Sequence, residues 1–142
     1  MPHRNKFISK LTRKYYYLRT LKDWGYSIAK NSDIQCKLPK STKILHKGIG
    51  VIIGCNVKIG DNCVISQNIN IGGRVIMGSN VRTNPYVVIF GDLRIGDNVI
   101  IGSFSYVDKD IPSDSKFVRN EIRPLIKEIK INKNKLLGKG LK

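Results

Sequence analysis

The sequence predicts a mainly β fold, a parallel β-helix with an α-helical segment before it and a short helix after it. Three observations lead there: a six-residue repeat, the glycines that punctuate it, and a charge excess confined to the two ends. From Ile53 the repeat runs for ten units without insertion. Its first position reads Ile53, Ile59, Ile65, Ile71, Met77, Thr83, Ile89, Ile95, Ile101, Val107. Its fifth reads Val57, Cys63, Ile69, Val75, Val81, Val87, Leu93, Val99, Ser105, Ile111. Glycine takes the second position in six of the ten units, which marks turns between short strands. β-Branched residues at fixed inward positions suit strands rather than helices. One such unit buries nothing alone, whereas stacked coils share a continuous core.

Taken in chain order, residues 1–36 form a basic helical segment, residues 37–112 the β-helix, and residues 113–142 a short helix with a basic tail. Within the first segment, Phe7, Leu11, Tyr15, Leu18 and Leu21 recur at three- and four-residue spacing, which predicts an amphipathic helix over 5–24. Its expected place is against the end of the β-helix or a neighbouring copy; a basic amphipathic helix also suits an anionic membrane surface. The Gly-Asp-Asn triplets at Gly60–Asn62 and Gly96–Asn98 are turn chemistry. Thr83-Asn84-Pro85-Tyr86 departs from the Ile-Gly pattern, either as a tolerated defect or as a turn that faces a ligand. Residues 121–131 (EIRPLIKEIKI) have helical spacing, with Pro124 near the start, and INKNKLLGKGLK reads as a basic tail.

Composition bounds the function. The net charge is +16, but residues 1–43 carry 11 basic and 2 acidic side chains, residues 44–112 carry 6 and 5, and residues 113–142 carry 9 and 3. A nearly neutral repetitive body is not what a nucleic-acid groove requires, and no aromatic-interleaved basic motif is present. Three cysteines without a CxxC pair indicate neither a disulfide framework nor zinc. Lysines and arginines interrupt the N-terminal stretch, so no signal peptide is read, and the expected location is the reducing cytoplasm.

The segments LPKSTKI (Leu38–Ile44), HKGIGVIIG (His46–Gly54), QNINIGG (Gln67–Gly73) and VDKDIP (Val107–Pro112) make the chain resemble the hexapeptide-repeat acyltransferases, specifically the branch of serine acetyltransferases and sugar O-acetyltransferases. The resemblance covers roughly residues 37–123. It implies a left-handed parallel β-helix with three hexads per coil and a homotrimer with sites between neighbouring copies. It also implies transfer of an acetyl group from acetyl-CoA to a small acceptor.

That chemistry needs a base for the acceptor hydroxyl, and histidine titrates near working pH. Of the two histidines, His3 lies at the terminus and His46 falls where the family's catalytic histidine falls. Carried over by register, the coenzyme contacts are Pro85, Ser103, Asp108, Lys109 and Arg123, the last two being cations suited to phosphate. No metal is implied.

The expected reaction is acetyl transfer to a sugar or polysaccharide-precursor hydroxyl. Serine is the alternative acceptor, although Gly72-Gly73-Arg74 runs straight into the next hexad without the longer loop and second histidine of many serine enzymes. Lys37 stands where an acidic residue often precedes the first coil, with Asp33 the nearest substitute, and the closing segment is FVRNEIRP. A third reading is a β-helix that binds or assembles without catalysis. Carbonic anhydrases of related fold need three zinc histidines, which two histidines cannot supply.

Overall fold

The computed structural model describes Leu11, Lys14, Tyr15 and residues 28–125, and there the repeat winds into a β-solenoid of about five turns. Twelve strands follow in order: β1 (Asp33–Ile34), β2 (Lys43–Ile44), β3 (Ile52–Ile53), β4 (Lys58–Ile59), β5 (Val64–Ile65), β6 (Asn70–Met77), β7 (Arg82–Thr83), β8 (Val88–Ile95), β9 (Ile100–Ile101), β10 (Tyr106–Val107), β11 (Ser115–Val118) and β12 (Glu121–Pro124). They build three sides. Side one stacks β1, β3, β6, β8 and β10; side two stacks β4 on the far ends of β6 and β8; side three stacks β2, β5, β7, β9 and β11.

All pairs between coils are parallel, and in the middle of the molecule the register is constant. Ile52 lies under Asn70, Asn70 under Val88 and Val88 under Tyr106, each step being 18 residues or three hexads. With that register the repeat positions do what their residue types demand. Every first- and fifth-position side chain from Ile53 to Ile111 is buried, and they form one core together with Ile34, Ile44, Val51 and Phe117. Burying an aliphatic side chain of this size contributes roughly 1.5–3 kcal/mol. The two hydroxyls in those columns are bonded to backbone: Ser105 Oγ donates to Gly102 O (2.6 Å) and Thr83 Oγ1 to Val64 O (3.4 Å).

The corner from side two to side three explains the Gly-Asp-Asn triplets. Asn62, Asn80, Asn98 and Asp114 stack there with φ of 56–58°, a left-handed conformation that Asn and Asp tolerate. Their side chains and neighbours ladder from coil to coil. Asn80 Nδ2 donates to Asn98 Oδ1 (3.1 Å), Asn98 Nδ2 to Asp114 Oδ1 (2.8 Å), and the Ser79 amide to Asp97 Oδ1 (2.7 Å).

The ends break the register. Ile44 and Ile53 are nine residues apart, whereas the residues stacked on them, Ile65 and Ile71, are six apart, so the first coil carries three extra residues. In the last coil Val107 and Ile111 are four residues apart against six for Ile89 and Ile95 beneath them. Parallel stacking runs from Asp33 to Phe117.

The short C-terminal helix expected from residue 121 is replaced by a strand. β12 pairs antiparallel with β11, Val118 opposite Glu121 and Ser115 opposite Pro124. Arg119 and Asn120 link them with φ of 53° and 61°, the two-residue primed turn whose twist matches paired strands. Phe117 faces the core of the last coil, and closing a hairpin on that coil satisfies backbone groups that a helix starting at 121 would leave open. The remainder of that predicted helix and the tail lie outside the described residues. So does almost all of the predicted helix over 5–24, of which Leu11, Lys14 and Tyr15 have helical backbone. Among the described residues no helix is long and apolar enough to cross a membrane.

Candidate active site

His46 sits in the three-residue excess of the first coil, at the corner between side three and side one. Leu45–Gly48 form one tight turn in which His46 (φ 51°, ψ 38°) and Lys47 (φ 57°, ψ 16°) are both left-handed. Two consecutive non-glycine residues in that region are costly, and they persist only where surrounding contacts over-determine them. Those contacts are visible. Below, the Ala29 amide donates to Lys47 O (2.7 Å) and Asn31 Oδ1 accepts from the Gly50 amide (3.3 Å). Above, the Asn68 amide donates to Ile49 O (2.7 Å). Gly48 and Gly50 complete the turn with φ of 67° and 65°; a side chain at Gly48 would meet Ile44 and Ile28, and one at Gly50 would overlap Asn68 Oδ1. The imidazole is exposed, on a backbone held from both sides.

The same corner continues upward one coil at a time. Gln67–Asn68 stand above the His46 turn, then Pro85–Tyr86, then Ser103–Phe104. The Tyr86 amide donates to Gln67 O (3.3 Å) and the Phe104 amide to Pro85 O (3.2 Å). At a strand spacing of about 4.8 Å, three coil steps place Ser103 roughly 14 Å along this edge from His46. Asn68, Tyr86 and Phe104 are left-handed like the Asn column of the other corner. The Tyr86 and Phe104 rings stack, with centroids 4.9 Å apart and planes 2° from parallel. The irregular Thr83–Tyr86 segment thereby resolves into two parts: Thr83 fills an inward column and Asn84–Tyr86 make the turn on the His46 edge.

The other residues carried over from the resemblance lie elsewhere. Asp108 and Lys109 are exposed at the shortened corner between sides one and two of the last coil, beside Asp110, whose Oδ1 accepts the Arg94 amide (2.7 Å). Arg123 is on β12 across from Lys116, and its guanidinium is bonded to Glu121 (2.7 and 3.2 Å), which holds that exposed carboxyl below its usual range. One chain therefore brings His46, Pro85 and Ser103 to one edge and places the remaining three at two other points.

Asp33 does not orient the histidine: its carboxylate accepts from Gln35 Nε2 (2.7 Å). The thiols of Cys36 and Cys63 are buried, and burial pushes Cys36 up to about 11 and raises Cys63, so neither serves as a nucleophile near neutral pH.

Sequence reasoning did not single out Lys47 or the Tyr86–Phe104 stack. The signal for the stack was present, since Tyr86 and Phe104 occupy the hexad position held by Asn68 one and two coils earlier.

Comparison with known proteins returns a family model, described as bacterial transferase hexapeptide (six repeats), over residues 74–109, about a quarter of the chain. No curated protein and no solved structure matches. The matched repeats and the 18-residue register agree: the described residues carry hexapeptide repeats wound into a β-solenoid of parallel strands.

Proposed function

We infer that the protein is an acetyl-CoA-dependent O-acetyltransferase whose acceptor is a hydroxyl of a sugar or polysaccharide precursor. One observation carries this reading: an exposed histidine, held on a double left-handed turn, opens an edge that also bears Pro85 and Ser103. Backbone strain of this kind concentrates at functional sites. Acetyl-CoA supplies the acetyl group as a thioester. His46 takes the acceptor proton as the hydroxyl oxygen bonds to the carbonyl carbon. When the carbon–sulfur bond breaks, the same proton passes to the departing thiolate. A backbone N–H near the His46 turn meets the oxygen that gains charge, and Ser103, about 14 Å farther along the edge, is left to contact the coenzyme.

Because Asp108 and Lys109 lie at a different corner, a coenzyme that touches both sets spans two chains. The reading therefore includes a homo-oligomer, the trimer that the resemblance implies, working in the cytoplasm. In it Lys109 and Arg123 meet phosphate, Arg123 after exchanging its Glu121 partner.

A second reading, a solenoid that binds without catalysis, is favoured by one observation: among the described residues no carboxylate bonds the His46 ring. The test follows CoA thiol release from acetyl-CoA with a sugar panel and with serine, for the wild type and His46→Asn. Asparagine accepts the left-handed backbone and removes the base. Sugar-dependent release that His46→Asn abolishes is expected. Release that is independent of acceptor, or unchanged in the variant, overturns the reading. Serine-dependent release moves the acceptor to the serine alternative, and CoA binding without turnover selects the non-catalytic one.

A further inference from the structure

Side three carries a straight row of side chains that neither the core nor the His46 edge uses. Its outward positions are Lys43, Val64, Arg82, Ile100 and Lys116, stacked in register through β2, β5, β7, β9 and β11. Their strand neighbours Ile44, Ile65, Thr83, Ile101 and Phe117 all point inward and are buried, so the five point outward together. Cations occupy coils one, three and five, about 9.6 Å apart at two strand spacings each. An aliphatic side chain lies in each gap. Lys43, Arg82 and Lys116 form no ion pair among the described residues.

The other two sides differ. Side one presents Asp33, Ile52, Asn70, Val88 and Tyr106, with no cation. Side two presents Lys58, Ile76 and Arg94, but Asp92 (paired with Arg74) and Asp110 (against the Arg94 amide) sit among them. Carboxylates flank side three at the corner that leads into it, Asp61, Asp97 and Asp114, bonded to Ser41, the Ser79 amide and Asn98, and Glu121 is paired with Arg123; none stands in the outward row itself.

We propose that side three is a binding surface for an extended acidic polysaccharide that carries one carboxylate per disaccharide. The cation spacing is close to the length of one extended disaccharide. Val64 and Ile100 then lie beneath the apolar faces of the intervening neutral sugars. A nucleic acid fits less well, because its charges recur every 3.4 Å along a strand and this row would meet about one phosphate in three. The row also lacks aromatic rings on which bases could stack. A second copy of the chain docked through this face would oppose two rows of like charge. The row ends at Lys43, three residues before His46, so a polymer lying on it reaches the corner where the histidine stands. That last point rests on the acetyltransferase reading; the binding itself does not.

The probe is hyaluronan, which has one carboxylate per disaccharide, with dextran as the uncharged control and oligothymidylate as the nucleic-acid arm. Affinities are measured by titration calorimetry at fixed salt. The wild type binds hyaluronan in preference to dextran and oligothymidylate. The triple variant Lys43→Glu, Arg82→Glu, Lys116→Glu loses about tenfold or more in affinity, while Lys58→Glu with Arg94→Glu on side two retains it. Arg82→Gln alone weakens binding and keeps the fold, which circular dichroism verifies for every variant. The proposal is overturned if hyaluronan binds no better than dextran, if oligothymidylate binds as tightly, or if the side-two pair loses as much as the side-three triple. His46→Asn retains hyaluronan binding whatever it does to turnover, so failure of the surface and failure of the catalytic reading give separate results.

Discussion

The middle coils and the first coil are made of the same strands and obey different rules. From Ile52 to Ser105 every residue has a partner 18 positions away, and its identity follows from the column it fills. In the first coil nine residues span what six span above, and the surplus becomes the Leu45–Gly48 turn. Periodicity produces a regular wall in the middle coils. Breaking it once lifts a histidine out of that wall and onto a rigid support. The histidine proposed as the base sits where the repeat is violated, and the continuous core where it is kept.

Separating those two roles is the most direct way to break the comparison. His46→Asn should lower acetyl transfer by about 10²–10⁴-fold, the usual share of a general base, with the melting temperature unchanged. A matching loss of stability would mean that the turn holds the coil together rather than presenting a base. Ile71→Ala in the middle should do the opposite. Its fully buried side chain leaves a cavity, and chemical denaturation should show a loss of about 2–5 kcal/mol.

A smaller effect sharpens the contrast inside the first coil. Thr42 is fully buried, and among the described residues its Oγ1 has no partner; it stands in the column that Cys63, Val81 and Val99 fill above it. Thr42→Val should stabilise by about 1 kcal/mol, since an unpaired buried hydroxyl is replaced by a methyl of the same shape. A drop in melting temperature would show that the hydroxyl has a partner in solution. The smallest expected effect concerns the last coil. Arg119→Asn with Asn120→Gly installs the preferred residues of a primed two-residue turn and should gain up to about 1 kcal/mol. Destabilisation by that pair would favour the helix that the sequence alone suggested.

The body was legible because its columns repeat. Each inward residue from Ile53 to Ile111 could be named from spacing, and each is buried. Thr83 looked like a defect only because its hydroxyl is polar; its bond to Val64 O lets it serve as a core residue. The ends were harder to read because local and tertiary signals disagree there. Glu121–Ile131 has helical spacing, and an Arg-Asn turn lacks the Asn-Gly signature of a hairpin, so the pairing of β11 with β12 shows only once Phe117 is seated in the core. Of the candidate site, His46 stood out as the histidine of a motif, and Pro85 and Ser103 lie farther along the same edge, on the coils stacked above Ile49–Gly50. The distances separating those three from Asp108, Lys109 and Arg123 depend on how many residues the end coils gain or lose, which a linear pattern does not encode.

The constant register has a consequence for how such a chain can change over generations. A single residue inserted within a strand would turn the side chains after it out of their columns, a surplus at a corner loops out as in the first coil, and a duplicated block of 18 would slide in as one more storey. Along its axis the body therefore lengthens or shortens in whole coils. Each added coil would move the closing hairpin about 4.8 Å farther from His46 while leaving both intact. The molecule is a ruler graduated in coils, and the reach between its base and its far end is a quantity that evolution, or an engineer, can set in discrete steps.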